Sequence, residues 1–179
     1  MYYKFGKTDG VIRKFTSSGT LTLYQEYKDG LLNGKSKTYY ESNPGKIKQE
    51  DNYINNLKDG LSVWFTPTGD TIAKYKYVNG KLEGVQRSFF AGNKIMLEEN
   101  YVNNIQSGSY VEYFENGKVK TTGNYIDGKM NGNWQEFDET GNKTQEGIYV
   151  NDVKQGKWVE YNAAGKISAT HKFVDGVEK

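Results

Sequence analysis

The sequence predicts an all-β protein: an elongated, single-layer antiparallel sheet built from about seven tandem 24-residue β-hairpin repeats. Three columns of residues predict it. An aromatic opens each copy, at Tyr3, Tyr27, Tyr53, Tyr77, Tyr101, Tyr125, Tyr149 and Phe173, always 24 residues apart except for the 26 between Tyr27 and Tyr53. Glycine stands seven places after each opening tyrosine, at Gly10, Gly34, Gly60, Gly84, Gly108, Gly132 and Gly156. Five places later comes a second aromatic: Phe15, Tyr39, Phe65, Phe89, Tyr113, Phe137 or Tyr161. A fixed internal period of this length marks one supersecondary unit copied along the chain, and it constrains architecture more than local propensity does.

Taken in order, the segment from the column glycine to the second aromatic is short enough for a strand and too short for a helix of useful size. A turn glycine follows at Gly19, Gly69, Gly117, Gly141 and Gly165, with Asn93 in its place once and Gly45 two places late after Ser42, Asn43 and Pro44. That delay accounts for the single long interval. The next segment alternates apolar and polar residues, as in Leu21, Leu23 or Ile95, Leu97, the period of a strand with one buried face. A further column, Gly6, Gly30, Asn56, Gly80, Asn104, Gly128, Asp152 and Gly176, holds only residues that enter the left-handed region readily. It reads as the bend joining one hairpin to the next. The two aromatic columns are expected to form one buried ladder. The array is expected to occupy 1–179 as one domain, with units starting at 3, 27, 53, 77, 101, 125 and 149 and a partial unit from 173. With two strands per unit it would be very roughly 65 to 70 Å long.

Composition narrows the function classes. The 24 basic and 22 acidic residues are mixed along the chain and leave a net charge of +2, so no charge field argues for nucleic acid or an acidic membrane. Cysteine is absent, which removes disulfides, thiolate nucleophiles and cysteine zinc sites. No apolar run reaches membrane-spanning length, and the opening MYYKFGK lacks the apolar segment of a signal peptide. The chain as it stands reads as cytoplasmic, or as exported if a leader has been trimmed from a longer precursor. Charges at both ends, Lys4 and Lys7, then Glu178 and Lys179, are expected to discourage edge-to-edge stacking and favour a monomer.

The run Tyr-x-Asn-Gly-Lys-x-x-Gly-x-Trp-x-x-Tyr-x-x-x-Gly resembles the MORN repeat in its bacterial variant form. Tyr125 to Gly141 and Tyr149 to Gly165 match it best, with Trp134 and Trp158, whereas Ile12, Ser36, Ser62, Gln86 and Tyr110 occupy the tryptophan column elsewhere. The resemblance implies a hairpin array without catalytic residues, used for protein contact or, in some relatives, membrane association. It also implies, through the antitoxin label that many bacterial proteins of this variant carry, an immunity-type protein that binds and neutralises a toxin.

The residues themselves offer little chemistry. His171 is the only histidine and falls in the column of Gly123 and Gly147, so it reads as an ordinary strand residue. The segment Gly30 to Ser36 has three residues between its glycines where a phosphate loop needs four, and no helix follows. The neighbours Glu98 and Glu99, like Glu50 and Asp51, point to opposite faces of a strand and cannot flank one bond. Glu112, Glu136 and Glu160 share a column about 10 Å apart, which reads as a solvated acidic stripe. No metal-ligand spacing appears, and Asn142 to Thr144 is a glycosylation triplet of a kind common by chance. The expectation is no enzyme, no cofactor and no metal.

Aromatics in excess of the ladder are the better candidates. Tyr40, Trp64, Phe90 and Phe114 flank the second aromatic and should face away from the ladder, and Tyr110, Trp134 and Trp158 are expected to continue that outward face. These seven are the predicted partner-binding residues, because a single-layer sheet has a face it cannot cover internally. A basic column, Arg13, Lys37 and Arg87, against the acidic Glu112, Glu136 and Glu160 would orient the partner. The predicted function is a protein-interaction scaffold; the alternative is a structural or envelope-associated spacer or adhesin.

Overall fold

A computed structural model describes residues 3, 4 and 6–179, with side chains from residue 6 onward. The side chains of Tyr3 and Lys4, one an expected ladder member and the other an expected edge charge, lie outside the described residues. Two compact units make up the chain, Met1–Asn93 and Lys94–Lys179. Both are antiparallel β-structure, and the one helical feature among the described residues is a 3-10 turn at Ala91–Asn93.

In the first unit a two-stranded ribbon, β1 (Tyr3–Lys4) and β2 (Lys7–Thr8), precedes the sheet strands β3 (Gly10–Phe15), β4 (Leu21–Lys28), β5 (Leu31–Tyr39) and β6 (Ile47–Ile54). These continue into β7 (Leu57–Lys58), β8 (Gly60–Phe65), β9 (Thr71–Val78), β10 (Lys81–Leu82) and β11 (Gly84–Phe89). The second unit contains β12 (Ile95–Val102), β13 (Ile105–Tyr113), β14 (Val119–Ile126), β15 (Lys129–Met130) and β16 (Gly132–Phe137). It ends with β17 (Lys143–Val150), β18 (Val153–Tyr161), β19 (Ile167–Val174) and β20 (Val177–Glu178). Within each unit a strand pairs with its neighbours in sequence, for example β4 with β3 and β5, or β17 with β16 and β18.

The column expected to be a bend between hairpins is itself a hairpin turn. Asp127 and Gly128 have φ of 49° and 80°, and the flanking Ile126 and Lys129 are paired, the arrangement of a two-residue type I′ turn. Asn55 with Asn56, Asn79 with Gly80 and Asn151 with Asp152 repeat it. The second turn residue also reaches back one repeat: the N–H of Gly80 donates to Lys58 O, and that of Asn56 to Leu32 O, in the first unit. In the second unit Gly128 donates to Gln106 O, Asp152 to Met130 O and Gly176 to Lys154 O. Each of these turns is thereby pinned to the repeat before it.

The column glycine sits just beyond, where the ladder takes up extra residues. In the first unit Tyr27 pairs with Leu32 but Gln25 with Ser36, so Asn33, Gly34 and Lys35 stand against Glu26 alone. Gly34 has φ of 112°, and a Cβ there would collide with the Glu26 carboxylate, which accepts Lys35 N–H at 2.7 Å. Those hydrogen bonds, Lys35 N–H first and Tyr24 hydroxyl second, hold the Glu26 carboxyl below its ordinary range.

The aromatic columns do not form one ladder. Across a two-residue hairpin, facing residues are an odd number apart, as Tyr125 and Met130 are; Phe137, twelve places from Tyr125, therefore lies on the opposite face. Trp134, nine places away, keeps the side of Tyr125. The opening aromatics and the tryptophan column together make the core face, called here the ladder face. The second aromatics are on the other face, where Phe15 is 57% exposed.

The cores of the two units differ accordingly. In the second, the indoles of Trp134 and Trp158 are buried. In the first, the same column carries Ser36, Ser62 and Gln86, also buried. Asp51, buried among them, accepts Ser62 Oγ at 2.5 Å and Gln49 Nε2 at 2.8 Å and pairs with Lys58 Nζ at 3.0 Å. Gln86 Oε1 accepts Lys76 N–H at 2.6 Å, and its Nε2 donates to Gly84 O at 3.0 Å. A hydrogen-bonded polar core stands where the tryptophans are missing, and its satisfaction is what makes burying it tolerable.

Candidate interaction surface

Three of the seven predicted partner residues belong to the ladder and are not turned away from it. Trp134 stacks on Tyr110 with ring centroids 5.4 Å apart, and meets Tyr125 and Tyr149 edge-on at 5.8 Å. Trp158 continues the series with Tyr149 at 5.0 Å and Phe173 at 6.3 Å, and its Nε1 donates to Ile148 O at 3.2 Å. Only 1% of Trp158 and 8% of Trp134 is exposed, so the expected outward face at Tyr110, Trp134 and Trp158 is corrected to an inner one. Burial first, then Glu112, pushes the Tyr110 hydroxyl up to about 12. The signal for this was present in the sequence. A Cβ on Gly123 would lie 1.9 Å from the Trp134 ring and one on Gly147 2.1 Å from that of Trp158, so each indole lies flat on a strand that glycine keeps bare.

The remaining candidates share the ladder face but not the ladder. In the first unit Trp64, half-buried in β8, faces Gln49 of β6 on one side and Ala73 of β9 on the other. Ser88 of β11 faces Ala73 in turn. Ala73 is buried, and the Ser88 hydroxyl is buried with no hydrogen-bond partner, so small side chains line the row beside the partly exposed indole. Tyr40, beyond the end of β5, crosses β6 and donates its hydroxyl to Phe65 O at 2.6 Å. Phe90, just after β11, lies two places from Ser88 on the same side. Tyr40, Trp64 and Phe90 are partly exposed.

The second unit has a different ladder-face margin. Glu112, Glu136 and Glu160 occupy the Trp64 column, separated by Thr121 and Gln145. Glu112 pairs with Lys120 Nζ at 2.8 Å, and Glu160 lies 3.6 Å from His171 Nε2. His171 faces Trp158 and binds Glu178 through Nδ1. Phe114, following β13, lines a shallow hollow of about 360 Å³ with Lys94, Glu115, Asn116 and Glu139.

The opposite face is a lattice of charges. Arg13 lies over the Tyr24 ring at 5.2 Å, and Lys37 pairs with Glu50 at 3.1 Å. In the second unit Glu146 accepts Lys143 Nζ at 2.6 Å, Tyr161 Oη at 2.5 Å and Gln135 Nε2 at 3.0 Å. Those three donors, Lys143 foremost, hold its carboxyl down at about 2. It borders a groove of about 340 Å³ with Gln135, Ile148, Lys157, Val159 and Tyr161. Glu50 and Glu146 are thus used up as acceptors within the sheet. Among the described residues no cluster of three or more His, Cys, Asp or Glu is arranged to hold a metal ion, and no helix is long and apolar enough to cross a membrane.

Residues 82–103, 106–127 and 130–151 match the MORN repeat variant family as three consecutive copies. Repeats of that family are commonly protein-interaction or membrane-associated modules, and the family is not one of enzymes. Among curated proteins, nothing matches the chain.

Proposed function

We infer that the protein is a non-enzymatic interaction scaffold whose ladder face, outside the ladder itself, binds another protein. The observation that carries this reading is Trp64: a partly exposed indole beside the small Ala73, with Tyr40 on one side and, across β9, Ser88 and Phe90 on the other. The hydrogen-bonded Ser62 column lies beside it on the same face, so the exposed part of the indole is left to meet a partner. Phe114 is the corresponding contact of the second unit, while Tyr110, Trp134 and Trp158 hold the ladder. Through the family's antitoxin label, the partner is a toxin that the scaffold occludes.

The test is capture from native lysate by the intact protein and by Trp64→Ala with Phe90→Ala, with the retained proteins identified by mass spectrometry. A partner retained by the parent and lost by the double variant, whose far-UV circular dichroism is unchanged, supports the reading. Equal retention by both ends it. For the toxin reading, the captured protein is expressed alone and together with the scaffold; it fails if expression alone does not arrest growth.

A further inference from the structure

The type I′ turns of the second unit are flanked by aliphatic pairs that project from the face opposite the ladder. Val150 faces Val153 and Val174 faces Val177, and all four are exposed, from 36% at Val153 to 57% at Val177. Val102 faces Ile105 in the same way, and Ile126, 49% exposed, faces Lys129. Packing joins successive steps: a Cβ on Gly176 would come within 3.1 Å of Val153 Cγ1, and one on Gly128 within 3.9 Å of Ile105 Cγ2. The result is an apolar ridge along the turn margin, broken at Lys129.

The fold does not require it. At the equivalent places Lys28 faces Leu31 and Lys81 faces Val78 in the first unit, as Lys129 faces Ile126 in the second. Lysine is accepted on either strand of the pair, while Ile54 facing Leu57 in the first unit repeats the aliphatic arrangement, so a second aliphatic at these steps is permitted by the fold and not demanded by it.

We propose that this ridge docks an amphipathic α-helix of a partner protein, laid across the repeats with basic residues along its flank. A strand could not add here, because the backbone of the ridge is already paired; a helix brings its own satisfied backbone. Successive repeats advance about 9.6 Å, two strands at about 4.8 Å, and seven residues of helix advance about 10.5 Å. One apolar turn per heptad therefore meets one aliphatic pair per repeat. Asp127, Asp152 and Asp175 stand on the turns beside the ridge; Asp152 accepts Met130 N–H and Asp175 accepts Gln155 Nε2, each through one oxygen, and their remaining charge with that of Asp127 complements a basic flank and opposes an anionic lipid surface. Lys129, within the ridge, selects an acidic residue at its own step.

The probe is a four-heptad peptide with leucine at the first and fourth places of each heptad and lysine on the flanks, titrated by fluorescence anisotropy into the full chain. Its control is a scrambled peptide of the same composition. Saturable binding of the heptad peptide only is expected, weakened about tenfold by Val150→Lys or Val153→Lys through loss of apolar contact and added charge repulsion. Each variant reproduces a pair the chain already contains, so both fold. Asp127→Asn with Asp175→Asn should weaken binding less and flatten its salt dependence. Equal binding of the two peptides, or undiminished binding by both lysine variants, overturns the proposal. So does self-association in sedimentation that Val153→Lys abolishes, or binding to neutral phosphatidylcholine vesicles that it abolishes. The Trp64 surface is intact in these variants, so its capture assay fails or succeeds independently.

Discussion

The contact between Trp158 and Gly147 gives the sharpest test of the ladder. Trp158→Ala removes a side chain that is 1% exposed together with its hydrogen bond to Ile148 O; truncating a buried aromatic costs about 3–5 kcal/mol. Gly147→Ala attacks the same contact from below. Gly147 is not in the left-handed region, so alanine suits its backbone, yet the new methyl would lie 2.1 Å from the indole. Displacing the ring should cost about 1–3 kcal/mol, the range for overpacking. In the Trp158→Ala background the obstruction is gone, and the methyl enters vacated space at about zero cost, or gains up to about 1 kcal/mol from a stiffer unfolded chain. The two substitutions should thus couple by about 1–4 kcal/mol. Guanidinium unfolding followed by far-UV circular dichroism measures all four corners of the cycle, independently of tryptophan fluorescence. Additive effects, or a loss below about 1 kcal/mol for Trp158→Ala, would refute the account of glycine as the bed for the indole.

Two further outcomes follow from the charged groups. Asp51→Ala should destabilise the first unit by about 2–4 kcal/mol in urea unfolding, because Ser62, Gln49 and Lys58 lose their common acceptor; Asp51→Asn, which keeps an acceptor, should cost less. Glu146 is held at about 2, below its ordinary range, so it contributes stability above pH of about 4.3 that is lost as pH falls toward 2. The stability gap between the parent and Glu146→Gln should be constant near neutrality and close over that acid window. A gap that is the same at pH 7 and at pH 2 would show that the three donors do not favour the carboxylate.

The spacing of glycines and aromatics made strands, turns and repeat boundaries legible, because each column answers to a local backbone need, such as positive φ at Gly128 or Asn56. Face assignment was not legible by the same count. Counting Tyr125 and Phe137 as one ladder treats the turn as if it preserved parity, whereas a two-residue hairpin inverts it. That single inversion moved Trp134 and Trp158 from the expected surface into the core. The Gly123 and Gly147 column held the clue, since glycine inside a strand indicates close approach by another group. The aliphatic ridge was missed for a related reason: Val150 and Val153 flank a turn, where apolar residues pass for ordinary strand formers until their exposure is known.

The pinned type I′ turns separate what the chain can vary from what it cannot. Within the units the turns at Asn56, Gly80, Gly128, Asp152 and Gly176 answer to a carbonyl of the preceding repeat, so a residue gained or lost at that margin would misplace each later pin. At the opposite margin the second repeat already carries its two extra residues. The lengthened loop closes on itself through Tyr40 N–H to Lys46 O, and Asn43 Nδ2 still reaches Pro67 O at 2.9 Å. In each unit one side behaves as a ratchet that admits growth only by whole repeats, and the other as a row of loops, each hydrogen-bonded to its neighbour, that takes in a segment of new length without losing that link.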